Sequence, residues 1–326
     1  MQPSALITGA TGFVGGHFVR HMAGEGWALR ALVRPTSDTT VLDGLGVQMT
    51  HGDLGSVDAL RQASAGVDVV FHLAAVTGLR DDTRFAEANV AGVRNVVRAA
   101  LDARPRPRRV VYLSSYAACG PTPDGRPRTL RDPPNPLTTY GRTKLEGEAE
   151  LRPLHDAGVE CMILRAPAVY GPGDHALLSY FRLVRWGFAP APGGPERRLH
   201  LIFAPDLAGA LARAATAATG TFAVAEPVAH RWSEVVAEIG RAVGRRPLRL
   251  AIPPALVRVA AAATEGVARL AGRAAVFNRE KAEEMLAAGW VCDLAGSEPL
   301  LPPGAATPLA EGVAQTADWY RSQGWL

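Results

Sequence analysis

Of the 35 lysines and arginines in this 326-residue chain only two are lysines, Lys144 and Lys281, which leaves 33 arginines. Cysteine is equally sparse: Cys119, Cys161 and Cys292 are odd in number and far apart. That spacing excludes a disulfide framework and a cysteine-based zinc site, and reads as reduced thiols in a cytoplasmic setting. Long uncharged apolar runs are missing too. The alanine-rich stretch Ala255–Ala275 is broken by Arg258, Glu265, Arg269 and Arg273, so it reads as a helix with a wet face, not a membrane span; peripheral contact with a membrane stays open. The N-terminus lacks a basic-then-apolar leader pattern and enters a strand-like run within a few residues. No basic stripe alternates with aromatics, the densest arginine group (Arg104–Arg109) contains two prolines, and the net charge is only +4. Nucleic-acid binding therefore has no support. With 48% hydrophobic and 20% charged residues, the composition suits a soluble globular protein with a sizeable core.

Where lysine does occur it is informative. Tyr140 and Lys144 are four residues apart, which on a helix puts both on one face with Cβ atoms about 5–6 Å apart. With 6 tyrosines and 2 lysines in 326 residues, such a pair is expected by chance roughly 0.04 times. Lysine differs from arginine in carrying a compact ammonium whose pKa can be tuned.

Along the chain, apolar runs and helical periodicity alternate. Strands are expected at Ser4–Thr8, Ala28–Val33, Val47–Thr50, Val67–His72, Arg109–Leu113 and Glu160–Leu164. Helices are expected at Phe13–Met22, Val57–Ala63, Phe85–Ala103 and Leu137–His155. Regular alternation of this kind predicts right-handed crossovers, a parallel sheet covered on both faces and a doubly wound α/β fold. Its ligand site should lie at the carboxyl ends of the strands. Between the first strand and helix lies Gly9-Ala10-Thr11-Gly12-Phe13-Val14-Gly15, the setting a phosphate-binding turn needs. Pro121–Pro136 reads as a surface loop. After Gly171 the alternation fails, and a smaller, mostly helical substrate lobe (171–326) is expected over a 1–170 nucleotide domain, with 199–218 interleaved into the latter. Strands at Leu199–Phe203, Thr221–Val224 and Leu248–Ile252 and a last helix at Leu309–Gln323 fall in this half.

In this order the motifs resemble the extended short-chain dehydrogenase/reductase family, of the NAD-dependent epimerase/dehydratase type. They are Gly9-x-x-Gly12-x-x-Gly15, Asp53-Leu54, His72-Leu73-Ala74-Ala75, Asn89-Val90-Ala91-Gly92, Ser115, Tyr140-x-x-x-Lys144 and Arg165-Ala166-Pro167-Ala168-Val169-Tyr170-Gly171-Pro172-Gly173. The tail Trp319-Tyr320 with Gly324-Trp325 is similar to one branch, that of dihydroflavonol reductases and hydroxysteroid dehydrogenases. The resemblance covers nearly the whole chain. It implies a Rossmann domain that binds the dinucleotide with Gly9, Thr11, Gly12, Phe13, Val14 and Gly15. It also implies that Asp53 and Leu54 hold the adenine, that Leu73, Ala74, Ala75 and Asn89 lie near the ribose and diphosphate, and that Pro167 and Val169 complete the site. Ser115, Tyr140 and Lys144 would be catalytic, the last two also touching the cofactor. A homodimer through paired helices is one assembly open to such a chain.

Which dinucleotide binds is decided at the end of the second strand. An acid there would hold the ribose hydroxyls of NAD, but Arg34 occupies it, with Thr36 and Ser37 behind. A guanidinium and hydroxyls suit a phosphate dianion, so NADP(H) is expected over NAD(H). Tyr140 would be the general acid for ketone reduction or the base for alcohol oxidation. Proton exchange near neutrality needs its usual pKa of about 10 lowered by roughly two to three pH units, which Lys144 and the positive ring of the oxidised cofactor can supply. Ser115, preferred over Ser114 for its spacing to Gly120, would hold the substrate oxygen.

The departures narrow the reaction. Sugar-nucleotide dehydratases of the family carry an Asp-Glu pair after the Ser/Thr; Tyr116 and Ala117 stand there. Decarboxylating relatives place a Glu there, also missing. Cys119 replaces a frequent tyrosine, as substrate wall or core packing. The substrate candidates Val76, Thr77, Tyr116, Tyr170 and His175 are largely apolar, with His175 beside Asp174 as a dyad or a plain loop histidine. The expected function is reduction of a ketone or aldehyde, or the reverse, on a small or mid-sized partly apolar substrate. A sugar-nucleotide epimerase with tightly held NAD is the alternative, its diphosphate clamped by Arg182, Arg185, Arg197 or Arg198. A non-catalytic dinucleotide-binding protein is the third.

Overall fold

The computed structural model describes residues 2–77, 82–122, 126–192, 196–271, 275 and 277–326; part of the proline-rich segment (123–125) and Arg273 lie outside these residues. The first half runs β1 (Ser4–Thr8), α1 (Phe13–Gly24), β2 (Ala28–Val33), β3 (Gln48–His51), α2 (Val57–Ser64), β4 (Val69–His72), α3 (Asp82–Ala86), a π-helical turn (Glu87–Ala91), α4 (Gly92–Asp102), β5 (Arg109–Ser115), α5 (Thr139–Ala149), α6 (Arg152–Asp156) and β6 (Glu160–Ala166). The second half runs β7 (Ala168–Tyr170), α7 (His175–Arg185), β8 (Phe188–Pro192), β9 (Arg198–Leu199), β10 (Leu201–Phe203), α8 (Ala204–Arg213), β11 (Gly220–Ala223), β12 (His230–Arg231), α9 (Trp232–Ala242), β13 (Leu248–Ile252), α10 (Pro254–Leu270), α11 (Arg279–Leu286), β14 (Gly289–Trp290) and α12 (Leu309–Ser322).

Seven strands form the main sheet in the order β11-β6-β5-β4-β1-β2-β3, all parallel. The β1 side chains explain why helices cover both faces. Ala5 and Ile7 point to one face, against Phe18 and Met22 of α1 and Leu207 and Leu211 of α8. Leu6 points to the other, against Leu60 of α2 and Val93, Val96 and Val97 of α4. Each such aliphatic side chain contributes about 1.5–3 kcal/mol on full burial. Strand order reverses between β1 and β4, which opens a crevice beyond their carboxyl ends.

Three expected elements differ. The helix over Phe85–Ala103 is interrupted by the π turn, because buried Asn89 directs its side chain out of the helix to Val76 and Thr143. The helix over Leu137–His155 breaks into α5 and α6, with Pro153 starting the second. The strand over Leu199–Phe203 splits at His200, whose N–H donates to Trp290 O (2.8 Å) and whose Nδ1 accepts from Cys292 N (2.9 Å). The segment assigned to the lobe at Thr221–Val224 is instead β11, the outer strand of the main sheet, paired with β6. In the lobe, α7, α9 and α12 close around Phe181, Ile239, Val313 and Tyr320.

Candidate active site

The site starts at the β1–α1 turn. Gly9 has φ +77°, and a Cβ there would lie 2.6 Å from Ala74 N; on Gly15 it would lie 2.0 Å from Gly9 O. Both glycines let main chain approach main chain. Gly12, the N-cap of α1, is exposed and has no side-chain cap, so the first N–H groups of a three-turn helix face outward without a side-chain partner. The turn therefore fits a pyrophosphate. His17 of α1 binds Pro172 O (2.8 Å) through Nε2, tying the Pro167–Gly173 segment to this turn.

At the end of β2, Arg34 is exposed and makes no side-chain hydrogen bond or ion pair with the described residues, and Ser37 N donates to its carbonyl (2.9 Å). The nearest acid along the chain, Asp38, accepts at Oδ1 from Thr40 N and Oγ1. Asp53 uses one oxygen on Gly55 N (3.0 Å) and Ser56 Oγ (2.8 Å), beside half-buried Leu54. Leu73, Ala74 and Ala75 follow β4, and Ala75 is exposed at the strand's carboxyl end. Asn89 departs from expectation. It is 1% exposed, and its amide is taken up by Val76 N and O and by Thr143 Oγ1. It braces the β4 loop against α5, with both amide N–H groups taken up by protein.

Tyr140 and Lys144 lie one turn apart on α5, whose N-cap Thr138 accepts from Gly141 N (3.1 Å). Tyr140 lies beside Ser115, at the end of β5, close enough for the serine hydroxyl to favour its phenolate, while Ser115 Oγ accepts from Ala117 N (3.2 Å). The neighbouring Ser114 points away and donates to Glu148 (2.5 Å), which also holds Arg165. That orientation separates the two serines. Lys144 is 1% exposed; its Nζ donates to Leu113 O (2.7 Å) and sits 4.1 Å above the Tyr112 ring. His72 stacks on the other side of this layer, 5.4 Å from Tyr112, with Nδ1 bonded to Thr8 Oγ1 (2.6 Å). Burial, reinforced by Lys144, pushes the His72 pKa down to about 3, so this imidazole stays neutral.

The electrostatics correct one expectation. Burial raises the Tyr140 phenol above its usual value; the Ser115 hydroxyl pulls it down and the charge of Glu284 on α11 pushes it up. Lys144 is not among the groups that shift it; burial brings Lys144 itself down to about 7, against the opposing pull of Glu148. Among the protein's own groups, Tyr140 is therefore a neutral proton donor.

On the substrate side several assignments change. Tyr116 is buried, its hydroxyl donating to Arg128 O (2.7 Å) and Val291 O (3.3 Å). Cys119 is packed with it and Cys292, and accepts from Arg165 Nη1 (3.1 Å), so it is core and not substrate wall. Tyr170 is also buried, in the lobe's own core, its hydroxyl unpartnered. Asp174 caps α7 through Ala176 N and Leu177 N, and exposed His175 stacks on Trp325 at 4.3 Å; they form no dyad. Val76 and Thr77 remain partly open beside β4. Of the clamp arginines, Arg182 binds Trp325 O and Arg198 binds Ala229 O, whereas half-buried Arg197 lies near Glu284 with its Nε unpartnered. Sequence reading missed Glu280 and Glu284 on α11. Glu280 accepts from Thr139 N (2.9 Å) and Oγ1 (2.8 Å) and from Arg142 (3.0 Å), so the lobe grips the start of α5.

A glycine turn at the switch point and a Ser–Tyr–Lys set on β5 and α5 are on one crevice. Residues 5–222 match the NAD dependent epimerase/dehydratase family. The chain belongs to that family. It is 30% identical over 323 residues to "Ceramide reductase" of Caulobacter vibrioides, covering 98% of this chain and 95% of that protein. It is 33% identical over 179 residues to "4-hydroxy-2-methyl-3-oxo-4-farnesyl-3,4-dihydroquinoline-1-oxide ketoreductase" of Stigmatella aurantiaca, 53% of this chain and 52% of that one. Among solved structures it is similar to MoeE5 in complex with UDP-glucuronic acid and NAD, at TM-score 0.76 and 26% identity, covering 98% of this chain and 99% of that one. Two of these relatives carry reductase names, and the solved one holds NAD and a UDP-sugar acid. No helix among the described residues is long and apolar enough to cross a membrane.

Proposed function

We propose that this protein reduces a ketone on an apolar, lipid-like substrate with NADPH, or runs the reverse oxidation. The observation that carries this reading is the placement of Tyr140 beside Ser115, at the end of β5, around a phenol that burial keeps protonated. Ser115 and Tyr140 can both donate to one carbonyl oxygen, Ser115 by aligning it and Tyr140 by passing it the phenolic proton. A dinucleotide bound at the glycine turn would supply hydride to the carbonyl carbon and, once oxidised, a positive ring. Lys144 holds the β5 end through Leu113 O, and Asn89 holds the β4 loop, so both keep this face in register. Arg34 supports the 2′-phosphate, because its guanidinium has no protein partner. Tyr116 and Ala117, where water loss would need acids, leave carbonyl reduction as the reaction the side chains can perform. The apolar substrate class rests on the two reductase relatives, whose names state a ceramide and a farnesylated quinoline.

A second reading is favoured by Arg197, whose free Nε near Glu284 could meet a diphosphate, as in a UDP-sugar epimerase. The experiment that separates them is NADPH consumption with long-chain and prenylated ketones, for wild type and Tyr140→Phe. Turnover should fall about 10²–10⁴-fold in the variant with dinucleotide binding nearly intact. NAD retained through purification, with no NADPH consumed on any ketone and a thermal shift with UDP-glucose, would overturn the reductase reading.

A further inference from the structure

Nine large apolar side chains are exposed among the described residues; eight of them lie between Trp186 and Val267 on the lobe, 41% to 73% exposed, and all of these but Val228 form one group. They are organised by two elements. β8 and β13 pair in parallel with Phe188 beside Leu248, so these side chains stand on the same face, and Leu250 follows two residues on. The opposite face of β8 is buried through Ala189 and Ala191. Trp186 immediately precedes this strand. The chain then turns at Pro253 into α10, where Leu256, Val259, Ala263 and Val267 are all exposed. At about 100° per residue these four fall within roughly 80° of one another. The inner face of the helix is a separate set, Val257 and Ala261 packed on Ala282 of α11.

Charge in the segments that carry this face is mainly positive, with Glu238 and Glu265 at their margins. Residues 239–264 contain five arginines and no carboxylate, and residues 175–192 contain two arginines and none. Arg241, Arg258 and Arg182 are committed to Glu238, Glu283 and Trp325 O. Arg185, Arg245, Arg246 and Arg249 are exposed and have no side-chain hydrogen bond or ion pair among the described residues. Exposed aliphatic and aromatic side chains, with Trp186 among them and uncompensated guanidiniums around them, match an interface that is apolar within and negative at its surface. We propose that this face of the lobe docks on an anionic lipid surface. The inference is independent of the reaction the site performs.

Co-sedimentation of the full chain with vesicles of phosphatidylglycerol and phosphatidylcholine tests it. Wild type should partition onto phosphatidylglycerol-rich vesicles and not onto pure phosphatidylcholine, and release with rising salt. Arg245→Gln/Arg246→Gln should weaken partition roughly 25-fold, about fivefold per arginine. Trp186→Ala/Phe188→Ala should also reduce it at an unchanged melting temperature, since both side chains are exposed. Tryptophan emission should shift to the blue on vesicle addition, and Trp186→Phe should remove most of that shift. Absence of binding to phosphatidylglycerol vesicles, or equal binding by wild type and both double variants, would overturn the proposal. So would light scattering that shows a dimer lost in Trp186→Ala/Phe188→Ala, which would assign the face to a second copy of the chain.

Discussion

Tyr140 stands between two surfaces built in different ways. Beneath it, Ser115, Leu113 O, Tyr112 and His72 are carried by adjacent parallel strands with fixed register, and Tyr112 and His72 are fully buried. Above it, α11 reaches the same helix through side chains alone: Glu280 on Thr139 and Arg142, and Glu284 as a nearby charge. Strand register cannot adjust without moving every neighbour, whereas a carboxylate on a short helix can. In the proposed reaction the chemistry would be set from below, and the shape and polarity of the substrate space from above.

The sharpest break of this contrast uses the two adjacent serines. Ser115→Ala should lower turnover by about 10²–10³-fold, as for loss of one oxyanion-type donor, with little effect on stability. Ser114→Ala should do the reverse, because it removes a buried partner of Glu148 and costs about 1–2 kcal/mol. Equal kinetic losses in the two variants would mean that the site does not distinguish them. Next in size is Arg34→Ala. We expect the NADPH KM to rise roughly 10- to 100-fold, in line with about 1.5–3 kcal/mol for a charge-assisted hydrogen bond, and the NADH KM to stay put. An unchanged NADPH preference would remove Arg34 from cofactor choice.

What could be read in the sequence follows the same division. The β1–α1 turn, Ser115 and the Tyr140–Lys144 pair were legible because each is set by local spacing on one strand or helix. The fold was legible because its strands are continuous apolar runs. Tyr116 and Tyr170 were misplaced because their direction depends on distant main chain, such as Val291 for Tyr116. Asn89 was misread because a π turn rotates it inward, and no residue in Glu87–Ala91 announces that turn. Glu280 lies 141 residues from Thr139, so no spacing rule links them. In the protein alone burial, which sequence does not report, raises the Tyr140 pKa; the expected lowering also counted on the positive ring of the oxidised cofactor.

The upper surface is tested by Glu280→Ala. The change removes an acceptor from the first turn of α5 and from Arg142, so stability should fall by about 1–2 kcal/mol, as for a lost helix cap. If the lobe shapes only the substrate space, the substrate KM should rise while the dinucleotide KM is unchanged. A matching rise in the dinucleotide KM would show that α11 also governs the lower surface.

The smallest expected effect concerns the lower surface and comes from Lys144. Its folded pKa is about 7, below the 10.5 of an exposed lysine, with burial as the leading cause. Between those values the unfolded chain binds more protons than the folded one, so this group makes the protein more stable as pH rises through the window. Below pH 7 both states are protonated, and the full penalty of burying the ammonium remains. Lys144→Met removes the charge at similar size. The variant should be the more stable form at pH 6.5 in the absence of dinucleotide, and its advantage should shrink by about 1 kcal/mol between pH 7 and 8. Paired denaturant titrations of wild type and variant cancel the other titrating groups. A stability gap that stays constant from pH 6.5 to 8 would show that Lys144 is not desolvated, and that the layer under Tyr140 is open to water.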